Sequence, residues 1–412
     1  MIDRTLIRQA PERVAQLISR KDPSFPIAQL IKLEHEQLQL QIEVEALRHK
    51  KNELAERGKK GVTDELRREA GDVGRQLKEK EAAGTAIETQ FMELYLRCPN
   101  IPDEDLPIGG KEANKVEREY GTPRTYPFEI KHHVALGEAL GWLDFEAGAK
   151  VAGSQFACYR NDAVRLIYAL TMFMLKQNSA QGYQLVLPPY VANEKTLTVT
   201  GNLPRFKDEV YATNDDLYLI PTSEVSLTSL YRDTILNAEQ LPIRMTAWTS
   251  CFRREAGGYG ATERGLIRMH QFEKVELVTL CEPGNSRAEQ ERMLACAESL
   301  LQTLGLQYRV MLLATQDCSF ASARTYDLEV WLPGQQRFFE VSSISNCTDF
   351  QARRGAMRYR TAAGSKPQLL HTLNGSCLAL SRLMVALMET YQQADGTIAI
   401  PDILKREGLW SS

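Results

Sequence analysis

The sequence predicts an α+β protein in which an N-terminal antiparallel helical hairpin precedes a domain built on a mainly antiparallel β-sheet flanked by helices. Three observations carry this expectation. Residues 27–96 are almost all helix formers, and Leu33, Leu40, Leu47 and Leu54 recur every seven residues. A proline-rich, acidic stretch at residues 98–110 then halts the pattern. Beyond it, short β-prone runs follow one another without regular helical crossovers.

The hairpin comes first in the chain. Val44 fills an intermediate seam position, and Leu66, Ala70, Val73, Leu77, Ile87, Phe91 and Leu94 continue the period, with Lys80 and Gly84 as weak members. Gly58-Lys59-Lys60-Gly61 separates the two runs, and Thr63 or Asp64 can cap the second. Two helices covering each other's stripe make a coiled-coil arm about 45 Å long. Residues 48–80 carry eleven Lys/Arg against seven Asp/Glu, a net of +4. A solvated surface of mixed charge explains that excess. So does a lever for nucleic-acid phosphates, formed by Arg48, Lys50, Lys51, Arg57, Lys59 and Lys60, whose affinity falls with salt. The hairpin alone leaves both open.

Composition sets outer bounds. The 412 residues give room for two domains, expected at 1–105 and 106–412. A net charge of −3 makes the whole chain no electrostatic binder of nucleic acid, so any such role needs a local basic patch. Apolar runs fall short of the ~20 residues that cross a membrane. Eight dispersed cysteines suit a reducing compartment, the cytoplasm, and give no zinc signature.

In the second part, strands are expected at residues 183–187, 217–220, 244–248, 275–280, 308–313, 328–332 and 337–341. Neither of the common Gly-rich phosphate loops follows a strand. Chemistry concentrates instead in four places. Phe252-Arg253-Arg254-Glu255 and the run from Arg264 through Arg268 and Phe272 to Glu276 read as two strands joined by a long, mobile loop containing Gly257-Gly258-Tyr259-Gly260. Period-two alternation puts Arg253 and Glu255 on one face, and Phe272, Lys274 and Glu276 on one face of the second strand. A cation, an aromatic plate and carboxylates on one surface suit a nucleotide, although ordinary cross-strand ion pairing also fits.

The second place follows a strand expected at residues 369–373. Asn374-Gly375-Ser376 leads into a helix expected to begin near Cys377, apolar nearly all round yet containing Arg382. A buried guanidinium needs an anion or a flat partner, which an internal acid or a bound nucleotide could supply. Ser376 could cap the helix or touch a substrate. The third is Thr222-Ser223-Glu224, a polar turn that could simply cap a helix. The fourth is Phe338-Phe339-Glu340-Val341-Ser342-Ser343, whose Glu340 could hold Mg²⁺. Strand parity sets Glu340 and Ser343 on opposite faces, so both reach one metal only if the strand ends near Ser342.

Taken together, these segments resemble the bacterial-type seryl-tRNA synthetases, which are class II aminoacyl-tRNA synthetases. The likeness also includes Gly153-Ser154-Gln155-Phe156, Thr200-Gly201-Asn202-Leu203-Pro204-Arg205-Phe206 and Thr325-Tyr326-Asp327-Leu328-Glu329-Val330-Trp331-Leu332-Pro333, and so spans essentially the whole chain. The helix from Ala163 is similar to class II motif 1, Phe252 through Phe272 to motif 2, and Gly375 through Arg382 to motif 3. The resemblance implies a homodimer that activates serine with ATP and Mg²⁺ and transfers it to serine tRNA, and to selenocysteine tRNA in many members. It implies ATP contacts at Arg253, Arg254, Glu255, Arg268, Phe272, Glu340, Val341, Ser342, Ser343 and Arg382, with Arg253, Glu255 and Arg382 closest to the chemistry. Arg253 is implied at the α-phosphate, Glu255 at the adenine edge, and Phe272 and Arg382 on either side of the adenine. Glu340 and Ser343 are implied Mg²⁺ ligands, and Thr222, Ser223, Glu224, Arg253, Glu276 and Ser376 a serine pocket. The arm is implied to hold the long variable arm of the tRNA.

The sequence also departs from that pattern. Cys377 and Ser381 stand where motif 3 usually has glycines, and Gln316-Asp317-Cys318-Ser319-Phe320 and Arg324 replace a usual Gly-Asp-Met-Gly-Phe and lysine. The rival reading from another class is a catalytically silent paralogue acting as a tRNA-binding or scaffold dimer. It predicts decay of the charged site residues, whereas Arg253, Glu255, Glu276, Glu340 and Arg382 are all present.

Overall fold

In the computed structural model, which describes residues 1–256 and 265–410, the two heptad runs are two long helices. The chain divides into the units Met1–Ile101 and Pro102–Ser412. The first contains α1 (Arg4–Gln9), α2 (Pro11–Lys21), α3 (Ile27–Lys59) and α4 (Asp64–Tyr95). At 33 and 32 residues, α3 and α4 are each roughly 50 Å long. Thr63 supplies the cap of α4, accepting from the Leu66 amide at 3.2 Å, while Asp64 and Glu65 complement the helix dipole in the first turn. Leu54, Leu66 and Val73 bury the distal seam with Leu47 packed on them. The short α1 and α2 are not anticipated by the heptads. They are tied to the arm by Glu34, fully buried and held by Arg4 at 2.9 Å and Arg8 at 2.5 Å.

The second unit is organised by an eight-stranded sheet: β1 (Lys115–Tyr120), β2 (Gln184–Leu185), β3 (Ile243–Phe252), β4 (Gln271–Cys281), β5 (Tyr308–Leu312), β6 (Arg324–Leu332), β7 (Arg337–Asn346) and β8 (His371–Ala379). Their spatial order is β1-β5-β6-β7-β8-β4-β3-β2. Every neighbouring pair is antiparallel except β2 with β3. Alternation explains its two faces. Tyr326, Leu328, Val330 and Leu332 of β6 are buried in the main core, while Asp327, Glu329 and Trp331 turn to the other face. That core is completed by α6 (Asp162–Ala180), α8 (Ser286–Thr303) and α10 (Leu380–Tyr391). Three shorter helices matter for the site: α5 (His133–Ala139), α7 (Ser223–Ser229) and α9 (Phe350–Arg354).

Two expectations about local structure are corrected. The helix expected to begin near Cys377 begins at Leu380. Gly375 pairs with both Ile344 and Leu277, and Ser376 with Glu276, so ladder hydrogen bonds carry the strand through the Asn-Gly-Ser turn signal. Ser376 therefore caps no helix; Ala379 stands at that N-terminus. A register shift between Ser376 and Ala379, with Leu378 at φ +78, interrupts the ladder just before the strand gives way to the helix. The exposed edge strand β1 is also absent from the sequence reading, because its charged residues hide the alternation. Among the described residues no helix is long and apolar enough to cross a membrane. The glycine-rich stretch Gly257-Gly258-Tyr259-Gly260 and Arg264 lie outside the described residues.

Candidate active site

A cleft of about 210 Å³ opens where β4, β7, β8 and the start of α10 meet. Arg253, Glu255, Arg268, Phe272, Glu340, Val341, Ser376 and Arg382 all border it, as does Lys274. The four separate sequence constellations thus converge, three on the cleft itself and the fourth, Thr222-Ser223-Glu224, through Lys274.

Strand β3 ends at Phe252, so Arg253 and Glu255 are brought together by the chain beyond the strand and not by strand parity. Glu255 adopts φ +50, an unusual conformation for a side chain-bearing residue. Arg253 donates from Nε to the Pro221 carbonyl at 3.3 Å, and its guanidinium lies 5.2 Å from the centre of the Phe272 ring. Glu255 faces Arg268, with Oε2 2.7 Å from Nε, so the two ends of the motif 2 segment neutralise each other.

Arg382 is not enclosed as the apolar run of its helix suggested. It sits in the first turn of α10 with its side chain 26% exposed. Its Nη1 donates to the Glu340 carbonyl at 3.0 Å and lies 3.2 Å from Glu340 Oε1, and its guanidinium is 5.1 Å from the Phe339 ring centre. The internal acid weighed as its partner is therefore Glu340, on the rim of the same cleft.

Strand parity also fails at Glu340 and Ser343, for a specific reason. Ser342 pairs with Leu328 but Glu340 with Glu329, so Val341 is an extra residue in β7. Beyond this bulge, Ser343 stands opposite Asp327, and Glu340 opposite Glu329, all on one face. Burial and the Glu340 charge hold the Asp327 carboxyl well above the ordinary carboxylate range, and Ser343 hydrogen-bonds to it. Asp327 Oδ1 has no hydrogen-bond partner. A hard-oxygen donor set of this kind, with one orphaned carboxylate oxygen, fits Mg²⁺.

Deeper lies a buried polar cluster. Lys274 Nζ is 2.5 Å from Glu276 Oε2 and donates to Thr222 Oγ1 at 2.8 Å. Glu224 Oε1 accepts from Gln351 Nε2 at 2.7 Å and Asn374 Nδ2 at 3.0 Å. Burial of its carboxyl group, reinforced by Glu276, raises the Glu224 pKa to about 7. Seven expected contacts do not border the cleft itself: Thr222, Glu224 and Glu276 belong to this deeper cluster, and Ser343 stands beside Asp327. Ser223 is fully buried within α7, Ser342 is engaged in a hydrogen bond to the Ser376 carbonyl, and Arg254 is held by its backbone amide on the Glu209 carbonyl. Conversely, Lys274, Gln351, Asn374 and Asp327 gain parts that the sequence did not assign them. Only Lys274 gave a signal, alternating with Glu276 along one strand.

The departures from the expected motif also resolve. Cys377 points into the core, its Sγ 3.0 Å from Asn178 Oδ1, whereas Ser381 borders the cleft. Arg324, in place of a lysine, is tied to both oxygens of Asp105 at 3.0 Å.

On the arm, Arg48 pairs with Glu81, Lys50 and Arg57 with the half-buried Glu69, and Lys59 with Glu56, the cations all at exposed positions. Such pairs contribute about 0–1 kcal/mol and open readily.

An antiparallel sheet whose strands and a following helix converge on an arginine-lined cleft defines the core of a class II tRNA synthetase. Residues 206–391 match the tRNA synthetase class II core domain (G, H, P, S and T), and residues 1–102 the seryl-tRNA synthetase N-terminal domain. A serine–tRNA ligase of Xanthomonas euvesicatoria is 45% identical, over 98% of each chain. The crystal structure of seryl-tRNA synthetase from Pyrococcus horikoshii complexed with ATP superposes with a TM-score of 0.93 at 34% identity, over 98% of each chain. That of the cytoplasmic enzyme of Naegleria fowleri with AMP gives 0.87 at 26%, covering 98% of this chain and 96% of the other. The chain belongs to the seryl-tRNA synthetase family.

Proposed function

We propose that the chain activates serine with ATP and transfers the seryl group to serine tRNA. The observation that carries this reading is the convergence of Arg253, Phe272, Arg268, Glu255 and Arg382 on one cleft whose inner end is the Lys274–Glu276–Glu224 cluster. A guanidinium–phenyl surface suits a purine triphosphate, and buried carboxylates suit an ammonium group.

In the activation step the serine carboxylate attacks the α-phosphorus and pyrophosphate leaves. Arg253 neutralises the α-phosphate, Arg268 the terminal phosphates, and Phe272 and Arg382 clasp the adenine. Glu255 then exchanges Arg268 for the adenine amino group. Thr222, Glu224, Glu276 and Ser376 orient serine, with Lys274 limiting the negative charge between the two glutamates. Placement of the two reactants and neutralisation of phosphate charge supply the acceleration, without a side-chain nucleophile. Glu340 and Ser343 would hold Mg²⁺, which adds a Lewis acid at the phosphates. The tRNA terminal hydroxyl then attacks the seryl carbonyl of the adenylate, forming the ester as the anhydride bond breaks and AMP leaves.

We assign tRNA recognition to the N-terminal domain, 1–105, and catalysis to 106–412. The basic distal half of the arm, where Lys51 and Lys60 are exposed beside the ion-paired cations, supports backbone contact with tRNA. Tyr168, Met172, Leu185 and Leu187, all more than half exposed around α6 and β2, support a homodimer. Eight free thiols support a cytoplasmic setting. The test is ATP–pyrophosphate exchange with serine, threonine, alanine and glycine offered singly. Exchange with serine is expected; a folded protein that exchanges with none of them would instead be the silent paralogue.

A further inference from the structure

Away from the cleft-bordering residues, His133 and Glu389 form a fully buried pair. His133 Nδ1 lies 3.0 Å from Glu389 Oε1, and His133 Nε2 accepts from the Leu266 amide at 3.3 Å. Glu389 also receives the His133 and Gly334 amides at 3.2 and 2.9 Å and Gln335 Nε2 at 3.2 Å. Three other donors make this carboxylate an acceptor, and Nε2 must accept from the Leu266 amide, so Nδ1 carries the proton; the network fixes one tautomer. His132 beside them completes a trio of potential metal donors. Both ring nitrogens of His133 are already engaged, which leaves it no lone pair for a cation.

What the pair holds is informative. Leu266 belongs to the short turn Gly265–Ile267, which lies within the motif 2 segment and immediately precedes Arg268. The Ile267 carbonyl accepts from Arg382 Nε at 3.4 Å, and Arg268 meets Glu255. Gly265 has φ +85, and a Cβ there would come 2.2 Å from His133 Nε2. Glu389 lies two helical turns beyond Arg382 on α10. One helix therefore presents a cleft arginine and, farther along, the anchor for the turn bearing the other.

We propose that His133, oriented by Glu389, is a positioning residue for ATP: its Nε2 holds the Leu266 amide and so fixes the turn that sets Arg268 and the Ile267 carbonyl in the nucleotide cleft. This rests on the reading of the cleft as an ATP site. Loss of the acceptor frees the turn, and ATP must then order it on binding, which weakens affinity.

The test is calorimetric titration of the full chain with ATP and MgCl₂. His133→Asn keeps an amide where Nδ1 faces Glu389 but offers no acceptor at Nε2; His133→Gln carries a carbonyl oxygen near Nε2. Weakening of about tenfold is expected in H133N and within about threefold of wild type in H133Q, although both lose packing. Where exchange is measured, the serine KM stays put in both. Equal ATP affinities in the two variants, or losses that track thermal stability, would overturn the proposal. Should H133N fail to fold, Gly265→Ala presses on Nε2 from the opposite side, and unchanged ATP binding there would overturn it equally. Wild type that binds ATP but exchanges with no serine would end the proposed function, while these ATP affinities still decide the role of His133.

Discussion

Lys274 and Glu276 stand two residues apart on one strand with Nζ 2.5 Å from Oε2, and both are at most 5% exposed. Glu224 adds a second carboxyl group within reach of the same ammonium. Removing the cation by Lys274→Met strands Glu276 as an unpaired, almost fully buried carboxylate. A loss of about 3 kcal/mol is expected, since breaking a buried pair costs on the order of 3–5 kcal/mol. Pairing that change with Glu276→Gln should restore most of the stability in denaturant melts yet leave serine activation impaired. Full recovery of exchange in the double variant would show that the pair is structural only.

The raised pKa of Glu224 makes a signed statement about pH. A carboxyl group that titrates near 7 when folded, against 4.5 when exposed to water, binds protons more tightly in the native chain. Its contribution favours folding in full below about pH 4.5 and is lost as pH rises through 7. Glu224→Gln keeps an oxygen for Gln351 and Asn374 but cannot ionise. The stability of wild type relative to this variant should therefore fall between pH 5 and 8, by roughly 1–3 kcal/mol. Parallel curves for the two proteins would mean that Glu224 titrates normally.

How far the sequence discloses this molecule depends on the range of the interactions involved. The arm is readable because heptads and the Thr63 cap act within a few residues. The cleft residues are readable as a set because charged and aromatic side chains recur in segments that resemble one family. The start of α10 is not, since Gly375 and Ser376 are held in a strand by partners a hundred residues away on β4. Nor is the shared face of Glu340 and Ser343, which a single extra residue at Val341 creates. His133 leaves no periodic trace; only its contacts with Glu389 and Leu266 reveal it.

The arm carries a margin of unused stability. A methyl group at Gly71, Gly74 or Gly84 of α4 meets nothing within 4 Å. Alanine at each should stabilise the helix by about 1 kcal/mol, because glycine costs that much in a helix interior. Amide exchange within α4 of the full chain should slow about fivefold per substitution, as RT ln 5 is about 1 kcal/mol. Unchanged exchange would place the opening of α4 outside helix propensity.

Phosphate contact by the arm has a salt signature. Lys51→Glu and Lys60→Glu should weaken tRNA binding and flatten the dependence of log affinity on log salt by about 0.7–0.9 for each phosphate no longer neutralised. Serine-dependent exchange should not change. A slope identical to wild type would leave these lysines as ordinary solvated charges.

The two positions where motif 3 glycines are replaced should separate cleanly. Cys377 is fully buried and its thiol contacts Asn178, so Cys377→Gly removes packed volume on the core side of the strand and not from the cleft lining. It also frees the backbone beside Leu378, itself at φ +78. A loss of about 1–3 kcal/mol is expected, from the buried side chain and the flexibility of glycine, with the ATP KM unchanged. Ser381 borders the cleft next to Arg382, so Ser381→Gly should act on the ATP KM more than on the melting point. It opens space beside the nucleotide but costs only helix propensity at the first turn of α10, where packing with the core already decides the helix. If Cys377→Gly instead shifted the ATP KM as strongly as Ser381→Gly, the thiol would be acting through the bulge at Leu378, and the separation drawn from side-chain direction would be wrong.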